Sequence, residues 1–404
     1  MNVRRSAAVL AAVAVLGAAA PAAADSSPSP TPQALPSALY GDTDPQYDGV
    51  WRQSLALLAQ HAAGAEPPKA AVGWLTGQQC ADGSFAPFRA DPSAACDAKT
   101  MVDTNQTAAA VQALAALGGH DAVTEKAVGW LKSVQNKDGG WGYTAGGPSD
   151  TNSTSVVVGA LAAVGEKPGE VRKGGKSPYD ALLGLELPCT GEGAGAFAYQ
   201  PEKDGSLTAN TDATAAGVLG ALGKGLLVEP GKGDGAGSCV KATTPEQAAA
   251  NGAAHLAGAL AAKGYLLAST PGAEDQPDFG NTADAVVALA AQGDTAQARK
   301  SYAWLEKNAG DWAAQSGPGA YAQLILASHA TGADPRDFGG TDLVKQLQAA
   351  GPAAPGKTTE AAEKAEDEKD SDSPFGVWWF VGVCLVAGIG IGFLINNRTK
   401  RQQP

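Results

Sequence analysis

The chain is poor in the residues on which most catalytic and recognition chemistry is built. It has 4 histidines and 2 methionines among 404 residues, and aromatic side chains make up only 6%. His61, His120, His255 and His329 stand at no zinc-ligand spacing, and there is no C-x-x-C pair, so a zinc site is not expected. His61, His120 and His329 fall at expected helix ends, where capping accounts for them. Lys and Arg number 29 against 41 Asp and Glu, a net charge of -12. Nucleic acid is thereby excluded as a partner, since phosphate binding needs clustered cations. There is no G-x-S-x-G string and no Gly-rich phosphate loop with its Lys. Alternating β-branched runs are also missing, which excludes a sheet core.

Long apolar runs occur only at the two ends. Arg4-Arg5, the run from Ala7 to Ala20 and Ala22-Ala23-Ala24 before Asp25 read as a signal peptide over 1–24. Phe375 to Ile395 is 21 residues without a charge, followed by Arg398, Lys400 and Arg401. That length spans a bilayer core as a helix, and the basic flank places the tail inside. A Ser/Pro-rich linker occupies 25–38, an acidic stalk too polar to bury a core 351–374, and a basic cytoplasmic tail 396–404. The expectation is an exported, single-pass cell-membrane protein whose main domain, 39–350, lies outside and whose C-terminus is cytoplasmic. Its membrane partner would be engaged through the C-terminal helix.

Of five cysteines, Cys384 lies in the C-terminal apolar run. Cys80, Cys96, Cys189 and Cys239 remain, an even number that suggests disulfides in an exported chain and admits three pairings. Cys80–Cys96 with Cys189–Cys239 closes the shortest loops and is the expected arrangement.

Between the ends the dominant features are Ala- and Leu-rich stretches of helical period. Asp103 to Gly118, Asp150 to Gly165, Asn210 to Gly223 and Asn281 to Gly293 each open on a capping residue and close on a Gly. Their sides are apolar nearly all round, so they should be buried on every side. Tyr47 to Ala63 and Pro318 to Thr331 join this inner set. An outer set carries charge and one apolar stripe: Pro67 to Gln79, Ala122 to Gln135, Pro178 to Leu187, Pro245 to Leu266, Thr295 to Asn308 and Asp337 to Ala349. Six alternating pairs suffice to close an all-α, α6/α6 toroid.

Two stretches are near copies. Trp74-Leu75, Gln79 and Asp82-Gly83-Ser84-Phe85 align without gaps on Trp130-Leu131, Gln135 and Asp138-Gly139-Gly140-Trp141. Each precedes a similar helix start, Asp103-Thr104-Asn105 or Asp150-Thr151-Asn152. A period of roughly 50 residues marks a repeat architecture. In physical terms the Trp anchors outer helix to inner, the Gln bonds backbone of the next helix, and Asp-Gly turns the chain sharply.

The run Trp130 to Tyr143 resembles the QW-type repeat of the α/α toroid superfamily. That group includes terpenoid cyclases, protein prenyltransferase β-subunits, the complement thioester domain and the α-domain of vitamin B12 carriers. The resemblance covers Leu39 to Ala350 and implies a ring of helix pairs around a central hollow. It does not imply one activity. The D-x-D-D and D-D-x-x-D motifs of the cyclases, the zinc ligands of the prenyltransferases and the G-C-G-E-Q thioester motif are all absent, so no catalytic or metal-binding residue is assigned.

Parallel inner helices would gather Asp103, Thr104, Asn105, Asp150, Thr151, Asn152, Asn210, Asp212, Asn281 and Asp284 at one mouth. Trp141, Tyr143, Phe197, Tyr199, Phe279 and Trp312 would wall it. A concave apolar opening with convergent polar groups is the usual form of a ligand site. The similarity to vitamin B12 carriers implies a corrinoid as one ligand, with no other cofactor expected. The leading expectation is thus a noncatalytic, membrane-anchored surface protein binding a small molecule or a protein partner. The alternatives are a terpene-cyclase- or prenyltransferase-like enzyme with an atypical site, and a structural envelope protein.

Overall fold

A computed structural model describes residues 35–233, 237–268 and 276–352. All its elements lie in the unit that begins at Pro36. Among the described residues there are thirteen α-helices and one two-stranded ribbon. Six form an inner ring: α1 (Gly49–Ala62), α3 (Thr104–Leu117), α5 (Thr151–Ala163), α7 (Thr211–Ala221), α9 (Phe279–Gln292) and α12 (Pro318–Thr331). Each packs on the next, and α12 packs on α1, so the ring closes. At the seam the Gly41 amide donates to the Ala350 carbonyl at 2.8 Å.

The outer layer is α2 (Lys69–Gly77), α4 (Asp121–Ser133), α6 (Pro178–Leu185), α8 (Pro245–Ala261), α10 (Thr295–Asn308) and α13 (Leu343–Ala349), with a short α11 (Gly310–Ser316) beside α12. The architecture is an all-helical toroid of helix pairs. Small side chains allow it: the middle of α3, from Ala108 to Ala113, is buried on all sides. Close packing of such helices removes nearly all their apolar surface from water, the main favourable contribution to folding.

The repeat residues act as their chemistry suggests. Gln79 Nε2 donates to the Gly83 carbonyl at 3.2 Å and to Val123 in α4 at 2.8 Å. Gln135 does the same to Gly139 at 2.8 Å and Val171 at 3.3 Å. Gly83 and Gly139 have φ of 99° and 91°, and a Cβ at either would sit 2.2 Å from the carbonyl oxygen of Lys126 or Ser177. Only glycine fits there. Disulfides join Cys80 to Cys96 and Cys189 to Cys239.

Several expectations need correction. Among the described residues no helix is long and apolar enough to cross a membrane. The longest, α8, has 17 residues, is interrupted by polar side chains and packs on the inner ring. A spanning helix needs about 20 predominantly apolar residues. The segment 375–395, on which the anchor rested, lies outside the described residues, as do 1–24, nearly all of the stalk and the tail. The fold is therefore given without a transmembrane helix, and the membrane partner, the single-pass location and the extracellular placing of the toroid are withdrawn.

Helix boundaries also shift. Helix α9 is capped by Asp278 rather than Asn281. Helix α13 starts at Leu343, because Phe338 and Thr341 pair their backbones and Asp342 supplies the cap. The ribbon of β1 (Leu266–Leu267) and β2 (Pro277–Asp278) and the short α11 have too few residues to leave a periodic signal.

Candidate functional site

The inner-helix N-termini are built to one plan. Asp103, Asp150, Asn210 and Asp278 are the caps, each accepting from the third helical amide. Four residues after each cap stands a threonine. Its Oγ1 accepts the amide of a residue in the connection from the preceding outer helix: Phe85 to Thr107 at 2.9 Å, and Trp141 to Thr154, Phe197 to Thr214 and Leu266 to Thr282, each at 3.0 Å. The loop is thereby pinned to the helix, and its chain alternates across the junction as extended backbone must. Trp141 and Phe197 point into the core, fully buried, and Trp141 Nε1 donates to the Leu131 carbonyl at 2.7 Å. Two residues on, Tyr143 and Tyr199 are half-buried, and their carbonyls accept the Thr104 and Thr151 amides.

The second helical position of successive inner helices carries Asn105, Asn152 and Asp212. Asn152 Nδ2 donates to Asp212 Oδ2 at 2.6 Å across the α5–α7 boundary. In α9 that position is Gly280, and Asp284 lies one turn deeper on the same face. Asp284 accepts from Gln323 Nε2 of α12 at 3.2 Å on both oxygens. An arc of polar side chains thus runs from α3 to α12: Asn105, Asn152, Asp212, Asp284 and Gln323.

Asp212 and Asp284 keep some access to water, yet protein encloses them on nearly every side. Burial, then the charges of Asp212 and Asp278, push Asp284 up to about 7, against one opposing bond from Gln323. Asp212 is also raised by burial, while the Asn152 bond favours its ionised form. Burial raises the Asp103 cap to about 7 and the Asp150 cap to about 6. The phenols of Tyr143 and Tyr199 are raised by burial and then by the neighbouring carboxyls.

Beside α9 four rings stack in series. Tyr265 lies on Trp304 with centroids 4.4 Å apart, Trp304 on Phe279 at 5.3 Å, and Phe279 on Trp312 at 5.6 Å. A Cβ on Gly280 would lie 3.8 Å from Trp312 and 3.7 Å from Gln323, so the end of the stack adjoins the arc.

The anticipated residues therefore divide. Asp103, Asp150 and Asn210 are caps, Thr104 and Thr151 follow them, and Asn105, Asn152, Asp212 and Asp284 belong to the arc, with Tyr143, Tyr199, Phe279 and Trp312 at its edge. Asn281 is spent on Asp278, through its amide at 2.9 Å and its Nδ2 at 2.7 Å. Trp141 and Phe197 are core. Asp278 and Gln323 were not anticipated, although a threonine four residues after Asp278 marks it as the cap. A cleft of about 570 Å³, lined by Lys132, Gln135, Glu166, Lys167, Glu170 and Arg172 among others, opens on the outer side. Two ion pairs there use much of its charge, Lys132–Glu166 at 2.5 Å and Lys167–Glu170 at 3.0 Å, and the repeat Gln135 that lines it is spent on the Gly139 and Val171 carbonyls. No group of three or more metal-ligating side chains occurs among the described residues.

No family model matches the chain, and no curated protein matches it. Solved structures do. A protein from Actinoplanes is 17% identical, with a TM-score of 0.48, over 73% of this chain and 93% of that one. The ent-copalyl diphosphate synthase from Streptomyces platensis is 16% identical, with a TM-score of 0.45, over 70% of this chain. The match spans 50% of that synthase, half its length. A type II terpene cyclase from Scytonema, in complex with merosterolic acid A, is 16% identical, with a TM-score of 0.43, over 75% of this chain and 82% of that one. These likenesses reach the helix-pair packing alone, and the comparisons lend no support to a specific likeness to vitamin B12 carriers. The reading as a noncatalytic, membrane-anchored surface binder is accordingly corrected: the anchor has no described helix to stand on.

Proposed function

We propose that the toroid is an enzyme with an atypical acid site at its N-terminal mouth, acting on a substrate with an apolar body. The observation that carries this reading is the pair Asp212 and Asp284, two enclosed carboxyls on neighbouring inner helices, close enough for one to act on the other and held by different partners. A pair whose environments separate their protonation states is the usual mark of an acid and a base.

Asp284, pushed up to about 7, keeps its proton in about half of the molecules at neutral pH and in most below it, and it is turned by Gln323. It is the proton donor. Asp212, bonded by Asn152, is the carboxylate that takes a proton back at the end of the cycle. Protonation of an alkene leaves a carbocation, which an aromatic face stabilises. In this reading Tyr143, Tyr199 and Trp312, at the end of the ring stack, supply the aromatic faces. The chemistry is that of the cyclase alternative, with the acid on α9 in place of a D-x-D-D string.

The test is turnover of polyisoprenoid alkenes in D2O, read by mass spectrometry. One solvent deuterium per product is expected, with a loss of 10²- to 10⁴-fold in Asp284→Asn, the usual worth of a positioned acid. The rate should fall as pH rises above about 7, where Asp284 loses its proton. Absence of any product, or product without deuterium, sinks the reading. Cobalamin belongs in the same ligand panel, since tight corrinoid binding without turnover would replace it.

A further inference from the structure

The first turn of α3 holds oxygen atoms that nothing satisfies. Thr104 is fully buried and Asn105 is 3% exposed, yet Thr104 Oγ1 and Asn105 Oδ1 have no hydrogen-bond partner. The next helix adds Asn152 Oδ1, also buried and unpartnered. Asn105 shares its helical position with Asn152 and Asp212, which bond to each other across the neighbouring α5–α7 boundary. A buried polar group left unpaired costs about 1–3 kcal/mol, and such atoms are commonly satisfied by a ligand or water.

The sign of the site is equally specific. Among the described residues no Lys or Arg pairs with Asp212 or Asp284, and no cation acts on either. Arg52, in the first turn of α1, is held by Asp48 at 3.6 Å and by Thr43. Helix N-termini attract anions as a rule. Here three of the four capped starts already carry an Asp on their free amides, so that attraction is used within the protein.

We infer that the mouth takes a ligand whose head presents N–H or O–H donors and no negative charge, and that it rejects diphosphates. Ammonium and hydroxyl heads share this chemistry. The orphaned oxygens accept from the head while the apolar body lies along the rings at the mouth. This deepens the substrate reading given above and rests on the mouth being the substrate site, but it is measured as binding and not as turnover.

The experiment compares farnesylamine, farnesol and farnesyl diphosphate on the unaltered protein by calorimetry and thermal shift. The amine or the alcohol should bind at least tenfold more tightly than the diphosphate. Preference for the amine identifies charge as the selector, and equal binding of amine and alcohol identifies the orphaned acceptors. Asn105→Leu should weaken the preferred probe about tenfold, with an unchanged helical circular-dichroism spectrum. Diphosphate binding as tight as the others, or no binding by any probe, overturns the inference. A catalytically inert protein that still prefers donor heads would leave it standing while ending the enzyme reading.

Discussion

Helices α3 and α5 open on nearly the same residues, Asp103-Thr104-Asn105 and Asp150-Thr151-Asn152, and use them differently. At α5 the cap is complete: Asp150 accepts from the Ser153 amide at 2.6 Å and the Ser153 hydroxyl at 2.8 Å, while Thr151 Oγ1 donates to the Ala198 carbonyl at 2.5 Å. At α3 a Gln stands where Ser153 does. Asp103 accepts from the Gln106 amide at 2.8 Å, and its Oδ2 has no bond of good geometry. The Tyr143 hydroxyl lies near enough to favour the ionised carboxyl as a weak hydrogen-bond partner, short of a well-formed bond. Two copies of one motif thus differ in how far the cap and its following threonine are satisfied, while the Asn after them, Asn105 or Asn152, keeps an unpartnered oxygen in both. Repetition reveals the scaffold, and departure from repetition reveals where something else is expected to bind.

The scaffold itself should not distinguish the copies. Phe85 and Trp141 are both fully buried, so Phe85→Ala and Trp141→Ala should each cost about 3–5 kcal/mol in denaturant unfolding. A clear inequality would break the equivalence. The first copy alone carries a local crosslink, Cys80–Cys96, closing a separation of 16 residues. Replacing both cysteines by serine should cost roughly 3 kcal/mol through the freer unfolded chain.

A smaller effect concerns pH. Asp103 holds its proton to about 7 and Asp150 to about 6, each above the ordinary value of 3.8. Between about pH 4 and these values the folded protein binds a proton that the unfolded chain has released. Stability therefore falls as pH rises through that window and levels off above it. Asp103→Asn, which keeps the cap, should recover on the order of 2 kcal/mol at pH 8, and Asp150→Asn less, because its window is narrower. Urea titrations at pH 5 and pH 8 measure both, and stability rising with pH would contradict the burial of these groups. The smallest contrast is the sharpest. Thr151→Val removes a made bond and should cost about 1 kcal/mol, whereas Thr104→Val replaces an orphan and should cost nothing or stabilise the ligand-free protein. Equal losses would mean that the α3 junction is closed after all.

Much of the ring was legible because its signals are local. A capping Asp or Asn, an apolar run and a closing Gly are read residue by residue, and five of the six inner starts fall within about two residues of their expected places. The start of α9 was missed because Asp278 and Asn281 can both cap. Thr282, aligned with Thr107, Thr154 and Thr214, would have decided between them. Trp141 and Phe197 were placed at the mouth because aromatic residues near it looked interchangeable. The two-residue alternation of extended chain turns them inward and Tyr143 and Tyr199 outward. Gln323 had no signal at all, since α12 opens on Pro318 without an Asp-Thr start and meets Asp284 only through ring closure.

That closure has one more consequence. Because α12 packs on α1 as the other inner helices pack on their neighbours, topology treats the seam between Gly41 and Ala350 as an arbitrary cut in a circle. Rejoining the two sides of the seam with a short linker and opening the chain instead between α6 and α7 should give a circular permutant with the same helices in the same neighbourhoods. Its order of synthesis would change, and with it which helix pair nucleates the annulus first.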